Sequence, residues 1–252
     1  MRPNDVPYAD VADALEFDAV RKRYGKLEAL RAASFRVGAG RSLALVGVNG
    51  AGKTTLLKSL LDFCAVDGGT IRIFGEDHRR PDSRRRLAFL PERFVPPYYL
   101  SGREFLNLVL TLHRHRYDDA EAAATLADLD LDAGALDKPV RSLSKGMTQK
   151  LGLAACFLAD KDLLVLDEPM SGLDPRARVL VKRVLERLRG RGKTLFFTTH
   201  ALADVEEVCD EMVILHAGEV RFAGDAHTLR ARHDGCDLES AFLRTIGEPA
   251  PA

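Results

Sequence analysis

The chain has 252 residues, 46% of them hydrophobic, and its 37 basic and 37 acidic side chains leave a formal net charge of zero. This length suits one large α/β domain with a real core, and the charge balance supplies no global field for nucleic acid. No run reaches the ~18 apolar residues of a membrane-crossing helix and no charged-then-apolar signal opens the chain, so a cytoplasmic protein is expected.

Residues 1–15 are polar, carry Pro3 and Pro7, and read as a loose leader. Strand-like segments follow near 16–23, 32–37 and 70–74. Between them, residues 42–48 form a short apolar run of buried-strand type, and Leu56, Leu57, Leu60 and Leu61 then recur at helical spacing. The connection is Gly47-Val48-Asn49-Gly50-Ala51-Gly52-Lys53-Thr54, with Thr55 next, and it fits G-x-x-x-x-G-K-[ST]. Glycines in such a loop turn it tightly and aim backbone N–H groups at phosphates. The lysine reaches the β/γ-phosphates and the Thr54 hydroxyl binds Mg²⁺. Strand, glycine loop and helix together point to a bound nucleoside triphosphate.

Arg79, Arg80, Arg84, Arg85 and Arg86 cluster in a Pro- and Asp-containing loop without interleaved aromatics, which reads as a solvated loop. Residues 92–157 read as inserted helices. Ser101-Gly102-Arg103-Glu104 is a capping box, followed by Phe105, Leu108 and Leu112 at one-face spacing. Asp118 and Asp119 open an Ala-rich helix through Leu131. His113 and His115 alternate with Arg114 and Arg116, a pattern that repels a metal cation and suits an exposed basic face. Further on, Leu143-Ser144-Lys145-Gly146-Met147 starts another helix with Ser144 as N-cap.

Residues 163–169 form an apolar strand that ends in Asp167-Glu168-Pro169. Desolvating two carboxylates is costly unless something answers their charge. A Mg²⁺ ion held by Asp167, with a water oriented or deprotonated by Glu168, would do so. Asp174 with Pro175 starts a long helix that ends near Gly190 and Gly192. The strand 194–199 closes on His200, and 212–215 with 219–222 read as a hairpin. The 4 cysteines, Cys64, Cys156, Cys209 and Cys236, contain no C-x-x-C pair and fit neither a zinc site nor a disulfide framework. Cys156 and Cys209 fall in helix-like segments as small apolar fillers.

With these motifs in this order, the chain resembles the ATP-binding-cassette (ABC) ATPases from about Glu16 to Gly247. Residues 143–147 stand where that family has its signature loop, usually LSGGQ. Ser171-Gly172-Leu173-Asp174 resembles the D-loop, His200 the switch histidine, and Tyr24 the aromatic ring on adenine. The resemblance implies a P-loop NTPase fold with a RecA-like core, a small antiparallel β subdomain and an inserted helical subdomain. In these terms the ATPase domain is 16–235, made of core and β subdomain (16–91 and 158–235) and helical subdomain (92–157). Residues 236–252 are then a C-terminal helix and tail. It further implies ATP and Mg²⁺ as ligands, with Lys53, Glu168 and His200 in catalysis. Thr54, Asp167 and Glu92 would stand at the metal, and Asp174 at the nucleotide. Ser144 and Gly146 would grip the ATP of a second ATPase subunit, either another copy or a paralogue.

Two positions depart from the family. Lys145 and Met147 replace a glycine and the glutamine of the signature. Glu92 replaces the Q-loop glutamine, and a carboxylate cannot donate a hydrogen bond unless protonated. The leading expectation is the ATP-hydrolysing subunit of a membrane transporter, resembling the ABC-2-type exporter branch. It would sit peripherally on the inner face of the cell membrane beside separate integral-membrane permease subunits, with no nucleic acid partner. The alternatives are a soluble ABC ATPase of translation or DNA repair, and a nucleotide-binding regulator without turnover.

Overall fold

The structure, a computed structural model, describes residues 13–248. In chain order it contains β1 (Asp13–Tyr24), β2 (Leu27–Gly38), β3 (Ser42–Val46), α1 (Lys53–Leu60), β4 (Gly68–Ile73), β5 (Glu76–Asp77) and β6 (Leu87–Leu90). Then come α2 (Gly102–Leu112), α3 (Asp119–Asp128), α4 (Lys145–Leu158), β7 (Leu163–Asp167), α5 (Pro175–Gly190) and β8 (Thr194–Thr199). The last elements are α6 (Leu202–Val208), β9 (Glu211–His216), β10 (Glu219–Gly224), α7 (Ala226–Ala231) and α8 (Leu238–Ile246). The chain divides into two compact units, one of residues 13–84 and 194–248 and one of Arg85–Lys193. The second unit takes β6, β7 and α5 together with the inserted helices.

The first unit holds an antiparallel sheet in the order β2-β1-β4-β5 and a run of strands β10-β9-β3-β8. In the latter, β3 lies parallel to both β8 and β9, and β10 closes the edge as an antiparallel hairpin. Every residue of β3 and β8 is buried, which explains why neither strand alternates apolar with exposed polar residues; the polar positions Ser42, Thr194, Thr198 and Thr199 are buried too. Phe17 and Phe35 stack with centroids 4.4 Å apart, and Phe196 of β8 lies 6.0 Å from each, a knot at the centre of this unit.

The expected leader of 1–15 falls outside the described residues up to position 12. From Asp13 the chain is already β1, because Ala14 and Leu15 are buried in the sheet. β2 likewise begins at Leu27, well before the expected 32. Ala19 and Ala32 have left-handed backbones (φ 47° and 59°), and the Ser34 hydroxyl accepts the Ala19 N–H at 2.8 Å. These bulges interrupt the period of two on which a strand reading depends.

In the second unit β6 runs parallel to β7. Helix α4 packs on α2, α3 and β6, and α3 on α5. The N-termini form as their sequences dictate. Ser101 and Glu104 exchange both bonds of a capping box, and Asp118 and Asp174 cap α3 and α5. Helix α3 stops at Asp128 rather than Leu131, because Asp130 turns left-handed at φ 52°. The buried face of α2 differs from expectation. Phe105, Leu106 and Leu110 are inside, whereas Leu108 and Leu112 are 41% and 75% exposed. Cys156 is buried in α4, where desolvation pushes its thiol up to about 12, while Cys209 lies just past the end of α6.

Candidate functional site

In the first unit, parallel pairing in register places the chain exits together. Val46 of β3 is opposite Thr199 of β8 and Ile214 of β9, so Gly47 and His200 leave neighbouring strands at the same end. The 47–52 loop packs on the turn after β9, with the Gly218 N–H donating to the Ala51 carbonyl at 2.9 Å. A Cβ at Gly47 would stand 2.3 Å from the Leu215 carbonyl oxygen. Gly52 has φ 112°, and a Cβ there would meet the Ala29 carbonyl oxygen at 2.6 Å. Only glycine fits either position.

Gly52 is also the N-cap of α1, which carries no side-chain cap and no acid in its first turn. The helix therefore offers its first N–H groups and the positive end of its dipole to an incoming anion. Asn49 and Gly50 form the exposed lip, Ala51 is buried beneath it, and the Thr54 side chain lies exposed in the first turn with Thr55 half-buried behind. The Lys53 ammonium folds back to donate to the carbonyl of Gly47, and it also reaches that of Val48 at 3.5 Å. Tyr24 closes β1 47% exposed, with the Cys64 thiol and the Thr55 hydroxyl at its phenol. The thiol and the partial burial raise the phenol's pKa. His200 is exposed at the end of β8.

In the second unit, Leu90 of β6 is opposite Leu166 of β7, so Glu92 and the pair Asp167–Glu168 also leave neighbouring strands at one end. Asp167 is 7% exposed. Glu168 adopts a left-handed backbone at φ 47°, and its carbonyl accepts the Ser171 N–H at 3.0 Å. A glutamate in that region costs ~1–3 kcal/mol, and such outliers cluster at functional sites. Glu92 is exposed. Asp174 accepts the Ala177 N–H at 2.9 Å, and that bond holds its carboxyl below the usual range.

The Ser144 hydroxyl caps α4 by accepting the Met147 N–H at 3.2 Å. Lys145, at the family departure, lays its side chain over Gly172: a Cβ on that glycine would stand 3.2 Å from the lysine Cε and 3.6 Å from Nζ. Gly146 faces the same loop, 3.5 Å separating its missing Cβ from the Gly172 carbonyl oxygen. Thus residues 144–146 and 171–174 are brought together within this unit.

Sequence reasoning missed Gln149. Its buried amide donates to the Pro169 carbonyl at 3.1 Å and ties α4 to the segment after Glu168. The signal in the sequence was a polar residue, next to Lys150, leading into the buried apolar run that ends the helix. Among the described residues no helix is long and apolar enough to cross a membrane.

A sequence model of the family described as "ABC transporter" matches residues 30–171. An uncharacterized ABC transporter ATP-binding protein of Synechocystis sp. is 36% identical over 217 residues, covering 84% of this chain and 61% of that protein. The Nod factor export ATP-binding protein I of Paraburkholderia xenovorans is 37% identical over 236 residues, covering 91% and 76%. A solved structure described as the ATP binding subunit of an ABC transporter superposes with a TM-score of 0.85 at 30% identity, covering 92% of this chain and 99% of that one.

Proposed function

Since the chain belongs to the ABC transporter family of ATPases, we propose that it hydrolyses ATP to drive export through separately encoded membrane-spanning subunits, as one half of a head-to-tail pair of cassettes. The observation that carries this reading is the 47–54 loop. It is a glycine cradle at an uncapped helix N-terminus, with Lys53 already positioned over it. On binding, Lys53 exchanges its carbonyl partners for the β/γ-phosphate oxygens, and Tyr24 stacks on the base.

The residues present fit Mg²⁺. The Thr54 hydroxyl and the Asp167 carboxylate are hard oxygen donors. Among the described residues no group of three or more His, Cys, Asp or Glu could hold a metal ion. Mg²⁺ generally keeps water and phosphate oxygens as its remaining ligands. When bound, it neutralises the charge that develops on the phosphates. Glu168 orients the attacking water and takes its proton, and His200 donates to the γ-phosphate. Glu92, where the family has an amide, would contribute a carboxylate toward the metal. Ser144 and Gly146 grip the γ-phosphate on a second subunit, and Asp174 lies at that junction. Export is favoured by the Nod factor export relatives. A peripheral position on the inner face of the membrane follows from the permease partner.

The decisive experiment is Glu168→Gln. The amide keeps shape and hydrogen-bonding atoms but accepts no proton, so ATP affinity is expected to persist while steady-state hydrolysis falls by about 10²-fold or more. Near-normal turnover would remove Glu168 from the mechanism.

A further inference from the structure

The end of β1 carries an arrangement that phosphate binding does not require. The Lys22 ammonium lies 5.3 Å from the centroid of the Tyr24 ring, and its side chain is only 13% exposed. Asp67 fixes that lysine. One carboxylate oxygen lies 3.4 Å from Lys22 Nζ, and the other accepts the Arg23 N–H at 2.6 Å. The Asp67 N–H in turn donates to the Arg21 carbonyl at 2.8 Å. The aspartate is thus bonded to the β1 backbone on both sides of Lys22, and the Arg23 N–H, then the lysine, hold its carboxyl below the usual range.

At its far edge the Tyr24 phenol meets Cys64 and Thr55. The ring is therefore held at its edge and over one face, yet the residue remains 47% exposed. An ammonium over one face attracts the ring's π-electrons. The opposite face is left electron-poor, which suits stacking on a large, electron-rich base better than on a small one.

We propose that Lys22, locked by Asp67, is a positioning residue that presents the outer face of Tyr24 to a purine and so favours ATP over pyrimidine triphosphates. This rests on the reading of Tyr24 as the base platform. The test is equilibrium binding of ATP, CTP and tripolyphosphate to the full chain carrying Lys22→Met, Lys22→Arg or Tyr24→Ala.

Lys22→Met is expected to weaken ATP by roughly 3- to 10-fold, the range of a cation–π contact. It should narrow the ATP-to-CTP ratio and leave tripolyphosphate unchanged. Lys22→Arg should restore the ratio, because a guanidinium also stacks on an aromatic face. Equal losses for all three ligands would show that Lys22 acts on the phosphates or on folding, and would overturn the proposal, as would an unchanged ATP-to-CTP ratio. If Tyr24→Ala binds ATP normally, the platform reading itself fails. If Tyr24→Ala weakens ATP and Lys22→Met does not, only the lysine's role fails.

Discussion

Gly52 shows how narrowly one position can be set. Its φ is 112°, and any Cβ there would stand 2.6 Å from the Ala29 carbonyl oxygen, which leaves no room for a side chain. Gly52→Ala is expected to cost ~1–3 kcal/mol of stability and to abolish measurable ATP binding, checked by denaturant titration and nucleotide binding on one preparation. A variant with parental stability and affinity would show that the loop relaxes freely. The glycine loop, the carboxylate pair and His200 were legible in the sequence because each motif encodes its own local geometry. Lys22 and Gln149 were not legible. Their partners Asp67 and Pro169 lie 45 and 20 residues away, and only the fold brings them together.

Whole elements were readable where their ends carry chemistry. The caps at Ser101, Asp118 and Asp174 all form, because a cap involves neighbours within three residues. The buried face of α2 was harder, since Leu106, Leu108, Val109, Leu110 and Leu112 ring the helix with apolar side chains. Packing on α4, on the 133–136 turn and on Phe94 leaves Phe105, Leu106 and Leu110 as the buried apolar side chains. What remains outside is informative. Leu108 and Leu112 are exposed on α2, and Tyr98 and Tyr99, at 65% and 69% exposure, meet edge to face with centroids 5.5 Å apart. Phe94, by contrast, packs on Phe105 at 5.6 Å. Exposed aromatics are favoured anchors for a partner, and these lie in the same loop as Glu92, 6 and 7 residues after it. Tyr98→Ala and Tyr99→Ala are expected to fold and hydrolyse ATP as the parent does when alone, and to lose binding or stimulation by the membrane subunit. Thermal melts and ATPase assays with and without that subunit check this, and loss of folding in both variants would place the docking surface elsewhere.

At the scale of the molecule, the role proposed for Ser144 and Gly146 is to grip a nucleotide bound by the glycine loop of a second cassette. Two chains are therefore expected to close on ATP when hydrolysis is blocked. Glu168→Gln protein with Mg-ATP should move toward twice the monomer mass in light scattering after size exclusion, and adding Ser144→Arg should hold it at one. A Ser144→Arg protein that dimerises as well as its parent would count against a shared site. The buried bond from Gln149 to the Pro169 carbonyl then acquires a meaning beyond packing. On the proposed reading the first turn of α4 grips the neighbour's nucleotide, while its second turn is fastened to the backbone just after the chain's own Glu168. Occupancy next door would then bear on the home site through that bond, and by reciprocity the home site on the grip next door. Two sites joined in this way would be expected to turn over as a couple rather than as independent engines.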